Sequence, residues 1–438
     1  MLLLYSLLLT LGIIALLPAF LWDALRHGKY VEGLRERAGG VGKIDPGGRP
    51  VVWLHCVSVG ETQAARPLAR ALAGRFPSHA LVVSTTTLTG QRVAREAFRG
   101  LAASVFYFPF DWAWSVRRAL DAVNPSVVIL METELWFRFL AECGARGVRV
   151  ALVNGRLSER SFSRYKLLRG FVRRALGTLS LAVMQTEADA ARLRELGVAP
   201  ERVRVSGNVK FDADDAETPQ PLTAQLRARF ALDASRPLVV AASTHAPEES
   251  LIVEAFKRLR AALPHTNPRL LVAPRHPERF AEVAALLDSS GLSWSRRTAE
   301  ASPRDATCDA ILLDTVGELR AAYPLAEVVF VGGSVAPTGG HNVLEPAAAA
   351  RCAVTGAHTF NFAEIVRDFV AHDALVQLPA LPDAETPAAL ARVFKDLLND
   401  DERRRRLGDN ALALVKRNRG ATGRTVDFLS PIIERGSG

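Results

Sequence analysis

A glycine-rich segment in the second half of the chain has the residue types of an anion site. An apolar run of strand length, residues 328–331, ends in glycines 332–333. Glycines 339–340 follow, before a helix pattern that carries Glu345 in its first turns. Glycine lets backbone N–H groups approach a ligand, and a helix N-terminus carries partial positive charge. Such a turn suits a phosphate, and a carboxylate one turn further can hold a sugar diol. A tight strand-to-helix turn without a ligand has the same sequence pattern.

Acidic side chains follow two strand-like runs in the first half of the chain. Glu61 ends the segment SVGE and opens a helix pattern. It can accept a proton from a substrate hydroxyl, or it can simply complement the helix dipole, which also lowers the pKa of its carboxyl. Glu132 and Glu134 follow another run. One of them suits a helix cap, and the other can stabilise positive charge developing on an anomeric carbon. The spacing does not distinguish these roles.

One lysine stands just before a polar break in the chain. Lys210 lies in the segment GNVKFD. Its cation can neutralise a departing phosphate, or it can be an ordinary solvated surface charge.

Three further turns in the second half follow apolar runs in the same way. They are residues 243–245, a turn with Pro274 and Arg275, and a turn with Val316, Gly317 and Glu318. An arginine side chain can bind a phosphate through two parallel hydrogen bonds. We expect backbone groups of these turns to form hydrogen bonds with the edge of a nucleotide base. Together with the glycine-rich segment, these turns indicate a nucleotide site.

The elements that position these residues form two α/β halves. Continuous apolar runs at 51–57, 80–84, 126–131, 148–153 and 181–185 alternate with helix patterns, and runs at 237–242, 270–273, 310–313, 328–331 and 352–354 repeat the scheme. Such alternation predicts two doubly wound parallel sheets, with ligands at the carboxyl ends of the strands. The acidic, proline-bearing residues 212–221 read as a linker, and a helical tail begins at Asp401.

The N-terminus predicts a membrane anchor. Residues 1–22 are uncharged and almost wholly apolar, and Arg26, Lys29, Arg35 and Arg37 follow. About 20 such residues cross a bilayer core, and basic residues after a span stay in the cytoplasm. A cleaved signal peptide is the alternative, but a basic start and an A-x-A site are both missing. The basic amphipathic residues 156–174 suit acidic lipid head groups, or a solvated helix face.

The amino-acid composition limits the classes of molecule that the protein is expected to bind. The net charge of +9 favours phosphorylated substrates, anionic membrane or nucleic acid, but no nucleic-acid-binding motif is present. The four cysteines are far apart and form no zinc motif. The only DxD, residues 212–214, lies in the linker rather than at a strand end, so we expect no metal site.

The segments SVGE, METELW, GNVKFD, STH, PRHPERF, GELR, FVGGS and GGHNVLEP occur in this order. Together they resemble the 3-deoxy-D-manno-octulosonic acid (Kdo) transferases, and the resemblance covers nearly the whole chain. It implies a GT-B fold, in which two Rossmann-like domains face a cleft, with CMP-Kdo as donor and neither metal nor cofactor. By position in the motifs, Glu61 would be the general base, while Glu132 and Lys210 would stabilise the transition state. CMP would be bound by Pro274, Arg275, Val316, Gly317, Glu318, Asn342, Val343, Leu344 and Glu345. Val316 departs from the methionine expected in many relatives, and position 343 is variable.

The expected organisation is an anchor helix at 1–25, an acceptor domain at 26–211, a linker at 212–221 and a nucleotide-sugar domain with its helical tail at 222–438. The expected activity is transfer of Kdo from CMP-Kdo to the lipid A precursor, lipid IVA. It would take place on the cytoplasmic side of the inner membrane, without nucleic acid as a partner. Two alternatives remain at this stage: a membrane-associated GT-B enzyme that uses another sugar nucleotide, and a sugar-nucleotide epimerase.

Overall fold

The computed structural model describes residues 2–27, 32–42, 44–133, 135–212, 220–233 and 235–434. The chain divides into two compact units. The first contains Met1–Ala213 together with Asn418–Gly438, and the second contains Asp214–Arg417. Most of the predicted linker, residues 213–219, lies outside the described residues. Asp212 ends a 3-10 turn, Val209–Asp212, and residues 220–221 already belong to a helix.

The first unit is built on a parallel sheet with helices on both faces. Its described strands are β1 (Val51–His55), β2 (Ala80–Thr85), β3 (Ser104–Tyr107), β4 (Pro125–Met131), β5 (Arg149–Gly155), β6 (Leu179–Met184) and β7 (Val203–Val205), in the order β3-β2-β1-β4-β5-β6-β7. The helices up to this point in the chain are α1 (Leu2–His27), α2 (Leu34–Arg37), α3 (Val59–Arg75), α4 (Leu88–Ala97), α5 (Ala113–Val123), α6 (Phe137–Ala145), α7 (Glu159–Leu167), α8 (Arg169–Leu176) and α9 (Glu187–Glu195).

Side chains along each central strand point alternately to the two faces of the sheet, and both faces are covered by helices. This explains why the sequences of these strands are continuously apolar. Trp53 belongs to the core on the face of α5 and α6, whereas Leu54 belongs to the core on the face of α3. Successive strand residues point to opposite faces, so a sheet covered on both sides needs apolar residues at every position. Both side chains are completely buried.

The second unit repeats this architecture. Its described strands are β8 (Leu238–Thr244), β9 (Arg269–Pro274), β10 (Trp294–Arg296), β11 (Ala310–Leu312), β12 (Val328–Val331), β13 (Cys352–Thr355) and β14 (Val376–Gln377), in the order β10-β11-β9-β8-β12-β13-β14. Its helices are α10 (Gln220–Phe230), α11 (Glu248–Ala262), α12 (Phe280–Ser289), α13 (Arg304–Thr307), α14 (Leu319–Ala322), α15 (Leu344–Ala348), α16 (Ala363–Ala371), α17 (Thr386–Asn399) and α18 (Asp401–Asn418). The prediction of two parallel-sheet α/β halves is confirmed.

The last helix, α19 (Ala421–Glu434), packs on the first unit, whereas we had predicted the whole tail to belong to the second. Its apolar residues Val426, Leu429 and Ile433 join the core formed by α3 and the first sheet. The Asp212 carboxylate accepts hydrogen bonds from the backbone N–H groups of Gly420 (2.8 Å) and Thr422 (2.5 Å), and so caps the start of α19. An amphipathic helix packs where its apolar face is buried, and this need not be beside its neighbours in sequence.

The N-terminal helix α1 contacts the rest of the first unit through polar and aromatic groups. The Tyr5 hydroxyl donates to Asp111 Oδ2 at 2.8 Å, and the Tyr5 ring meets Phe137 edge to face. In the described part of the chain, no helix combines the length and apolar character that a bilayer span requires.

Candidate active site

The turn from β1 into α3 holds Glu61 in a fixed orientation. Ser58 is the N-cap residue, and its Oγ accepts the Glu61 N–H at 3.4 Å. The Glu61 carboxylate in turn accepts the Val57 N–H at 2.8 Å and the Ser58 hydroxyl at 3.1 Å. Ser58 caps the helix start as in a capping box, whereas the Glu61 carboxylate reaches one residue further back than in that motif, to the Val57 N–H. Glu61 is only 7% exposed, so it does not point into bulk solvent.

Glu132 follows the last residue of the central strand β4. It has a left-handed backbone conformation, with φ of 55°, and its N–H donates to the Val153 carbonyl at 2.9 Å. Its Oε1 lies 2.7 Å from Lys210 Nζ. The structure therefore brings together two of the three predicted catalytic residues as an ion pair at the carboxyl edge of the sheet.

The buried thiol of Cys56 is influenced by the charges of both Glu61 and Glu132. Burial raises the pKa of the Cys56 thiol, and the negative charges of Glu61 and Glu132 raise it further. The strands β1 and β4 that precede Glu61 and Glu132 are parallel neighbours in the sheet, so both residues follow adjacent carboxyl ends. All three predicted catalytic residues occupy one edge of the first sheet.

Two residues that sequence reasoning missed hold Lys210 in place. The completely buried Asn154, at the end of β5, accepts the Val209 N–H on its Oδ1 at 3.1 Å. Asn208 Oδ1 accepts the Lys210 N–H at 3.0 Å. Asparagine tolerates the left-handed conformation that Asn154 adopts, with φ of 52°. A polar residue ending an otherwise apolar strand was the available signal.

The cap of α6 comes from a distant residue. Asp111 accepts the N–H groups of Arg138 and Phe139 at 3.0 and 2.8 Å. We had expected Glu132 or Glu134 to provide this cap. Glu132 instead pairs with Lys210, and Glu134 lies outside the described residues.

The predicted nucleotide residues occupy the carboxyl edge of the second sheet. Pro274 ends β9 and is buried, while Arg275 is exposed. Val316, in the turn after β11, is 80% exposed, and the following Gly317 has φ of 89°. A positive φ at this position favours glycine. Glu318 forms a two-point ion pair with Arg297, at 2.8 and 3.3 Å.

The loop after β12 continues this edge. Asn342 Oδ1 accepts the Leu344 N–H at 3.0 Å at the start of α15, and Val343 and Leu344 are buried. Glu345 Oε1 lies 3.7 Å from Arg320 Nε, which links α15 to the turn at residues 316–318. The predicted segments at residues 316–318 and 342–345 are therefore linked by this contact. They follow β11 and β12, which lie on either side of the central strands β9 and β8.

The glycine-rich segment, for which a phosphate site and a turn without a ligand both stayed open, binds a carboxylate of the protein itself through the N–H groups of residues 333–336. The buried Glu248, at the start of α11, accepts the N–H groups of residues 333–336 and of His245, at 2.7–3.2 Å. A Cβ on Gly332 would lie 2.9 Å from Glu248 Oε2. Burial raises the pKa of the Glu248 carboxyl, and these N–H donors oppose that effect. The glycines make room for an internal anion.

Comparison with known proteins places the chain in a family. A family model described as 3-deoxy-D-manno-octulosonic-acid transferase (kdotransferase) matches residues 32–213. The 3-deoxy-D-manno-octulosonic acid transferase of Haemophilus influenzae is 35% identical over 94% of both chains. This chain belongs to the Kdo transferase family. The Bordetella pertussis transferase of the same name is 38% identical over 86% of each chain. The chain is therefore a glycosyltransferase.

A solved structure supports the fold. The UDP-GlcNAc 2-epimerase of Neisseria meningitidis, bound to UDP-GlcNAc, aligns with a TM-score of 0.54 over 87% of this Kdo transferase chain and 100% of that chain. The two sequences are 12% identical, so this likeness concerns the fold alone.

Proposed function

We propose that this chain transfers Kdo from CMP-Kdo to the lipid A precursor, lipid IVA, by an inverting displacement that needs no metal and uses Glu61 as general base. Family membership supports transfer of Kdo as the reaction class. The observation that carries the finer proposal is the grouping of Glu61, Glu132 and Lys210 at one edge of the first sheet.

The groups proposed to act on the reacting bonds belong to the first unit. Glu61 takes the proton from a glucosamine hydroxyl of the acceptor as that oxygen bonds to the anomeric carbon of Kdo. The bond from that carbon to the phosphate of CMP breaks, and the electron pair leaves with the phosphate. A single displacement of this kind inverts the anomeric centre.

The side chains proposed to stabilise this step carry charges opposite to those that develop on the substrate. The Glu132 carboxylate favours positive charge developing on the anomeric carbon, and the Lys210 cation favours the negative charge of the departing phosphate. The 2.7 Å ion pair keeps both side chains ordered before substrate binds. On the second unit, Arg275 is exposed at the end of β9, where a guanidinium can bind the phosphate of CMP.

We also propose that the first unit binds the cytoplasmic face of the inner membrane through α1. Six large apolar side chains of this helix are 52–83% exposed: Leu3, Leu4, Leu7, Leu8, Leu11 and Ile14. Leu167 and Leu168, at the junction of α7 and α8, are 83% and 57% exposed among the basic residues 156–174. Apolar side chains flanked by cations suit an interface with anionic lipid.

The test is a transfer assay with purified full-length protein, CMP-Kdo and lipid IVA, followed by mass spectrometry of the lipid. We expect one or more Kdo residues to be added, with loss of about 10²–10⁴ in turnover for Glu61→Gln. Glu96→Gln, an exposed position on α4, is the matched control and should keep normal turnover. UDP-sugars replace CMP-Kdo in a parallel arm. Transfer from a UDP-sugar, or near-normal turnover of Glu61→Gln, would contradict the proposal.

A further inference from the structure

Three histidines follow three adjacent strands of the second sheet. His245 comes directly after β8, His276 lies two residues after β9, and His341 lies in the loop after β12. The His245 and His276 ring centres are 5.1 Å apart, with their planes at 77°. This histidine cluster lies beside Arg275, at the edge to which the nucleotide residues also belong.

His245 and His341 share a hydrogen bond between their rings. Their Nε2 atoms are 2.7 Å apart, the ring planes differ by 4°, and the ring centres are 4.9 Å apart. Atoms of rings stacked face to face cannot approach so closely, so the rings lie edge to edge in nearly one plane. One Nε2 must carry a hydrogen and the other must not. In the neutral pair, one ring therefore has a bare Nδ1, and one further proton turns both Nδ1 atoms into donors.

The surrounding chain fixes this pair. The His245 N–H donates to Glu248 Oε2 at 3.0 Å, and the same oxygen accepts the Gly333 N–H at 2.7 Å. The His341 N–H donates to the Gly332 carbonyl at 3.1 Å. A Cβ on Gly333 would lie 2.9 Å from His341 Cδ2, so only glycine leaves space for this ring. The loop that directs the N–H groups of residues 333–336 to Glu248 thus also positions two imidazoles.

The charged groups acting on the pair are basic. Burial lowers the pKa of both rings, that of His341 to about 3, and Arg275 and His276 lower both further, joined for His245 by Arg279. The nearby acids are engaged elsewhere: Glu248 accepts backbone N–H groups, and Glu249 pairs with Arg279 at 2.6 Å. Within the described ranges, the charges that lower the pKa values of the pair are therefore cationic, and the two acids nearby are held by other donors.

The cluster is not arranged as a metal site. No group of three or more His, Cys, Asp or Glu side chains in the residues that the structure describes is placed to hold a metal ion. A bound anion would supply the negative charge that the pair lacks, and it would favour the protonated form of an imidazole.

We propose that His245 and His341, with Arg275, form an anion site for a charged oxygen of the donor, and that the histidine pair takes up a proton when that anion binds. This inference rests on the proposed function, since it places the donor on the second unit. The anion is either the phosphate of the nucleotide or the carboxylate of the sugar. Both present oxygens that accept hydrogen bonds from Nδ1–H and from a guanidinium.

Isothermal titration calorimetry on the full-length protein at pH 7.5 tests this. CMP and free Kdo are titrated separately, each in two buffers of different ionisation enthalpy. We expect net proton uptake, seen as a binding enthalpy that depends on the buffer, for the ligand whose anion enters the site. Uptake with CMP identifies the phosphate, and uptake with Kdo identifies the carboxylate. His341→Gln and His245→Gln should each abolish the uptake and weaken binding about tenfold. His265→Gln, an exposed histidine of the same unit, should retain both.

Two outcomes would overturn the inference in distinguishable ways. If at least one ligand binds but neither binds with proton uptake, or if uptake persists in both variants, the histidine pair is not the anion site, and the proposed function stands. If neither ligand binds the wild-type protein, the proposed function itself fails. Circular dichroism melts of both glutamine variants check that the fold is kept, and glutamine retains a hydrogen-bonding group at the partly buried ring position.

Discussion

Lys210 Nζ lies 2.7 Å from Glu132 Oε1, and both side chains are only about one fifth exposed, at 23% and 20%. Lys210 comes from the 3-10 turn after β7 and Glu132 from the end of β4, so the contact joins segments almost 80 residues apart in sequence. The pair places one positive and one negative charge at the same edge of the sheet.

Replacing Lys210 by methionine should reduce kcat with CMP-Kdo and lipid IVA about 10²-fold or more, because the departing phosphate loses a cation. The free energy of unfolding should change by no more than about 1 kcal/mol, since the pair remains partly solvated. Initial rates and urea unfolding measure the two effects. Arg146→Met breaks a more exposed pair of equal length with Asp121 and should leave kcat unchanged. Equal losses in the two variants would remove the case for Lys210.

Glu248→Gln should destabilise the second unit by about 3 kcal/mol or more, because an amide cannot accept all the backbone N–H groups that the carboxylate now accepts. Urea unfolding followed by circular dichroism gives the value. Glu254→Gln, on an exposed face of the same helix, is the control and should stay within about 0.5 kcal/mol of wild type. A small loss for Glu248→Gln would show that the loop after β12 holds its shape without the internal anion.

His55 should make the first unit acid-sensitive. Burial lowers the pKa of this ring to about 3, and its Nδ1 contacts Ser84 Oγ at 2.9 Å. Below about pH 6.5 the unfolded chain binds a proton that the folded chain refuses until about pH 3, so the free energy of unfolding falls as pH falls through this window. Urea unfolding between pH 7 and 4 should show a shallower pH dependence for His55→Gln. His265→Gln should follow wild type; an unchanged slope for His55→Gln would assign the acid sensitivity to other groups.

Replacing Leu3, Leu7 and Leu11 by serine should weaken binding to anionic phospholipid vesicles at least tenfold, since each leucine contributes about 1.5–3 kcal/mol when buried in an apolar phase. Cosedimentation with vesicles measures this. Val370→Ser changes an exposed apolar residue of the second unit and should have no effect. Unchanged binding of the triple variant would show that α1 does not contact the lipid.

The central strands were predictable from sequence, and the edge strands were not. Each predicted strand corresponds to an interior strand of a sheet, whereas β3, β7, β10 and β14 were missed, and these are the four edges. Interior strands are covered on both faces, so their sequences are continuously apolar. Edge strands such as Trp294–Arg296 and Val376–Gln377 are short and partly exposed, and nothing in their composition separates them from loops.

The site shows a similar division. Motif positions directly after strands were predictable because the carboxyl ends of parallel strands share one edge. The groups that orient them were not, because Glu248 is more than 80 residues from the loop it holds, and Asn154 is 55 residues from Val209. Such contacts depend on which strands become neighbours, and strand order is not encoded in local composition.

The packing of α19 against α3 has a consequence for synthesis. The apolar groove that receives Val426, Leu429 and Ile433 stays open on a nascent chain until α19 leaves the ribosome. The second unit, residues 214–417, has its complete sequence earlier. During translation the second unit can therefore fold before the first unit has its last helix. Chains that end before residue 421 expose the apolar surface that α19 covers, and we expect chaperones and proteases to bind it.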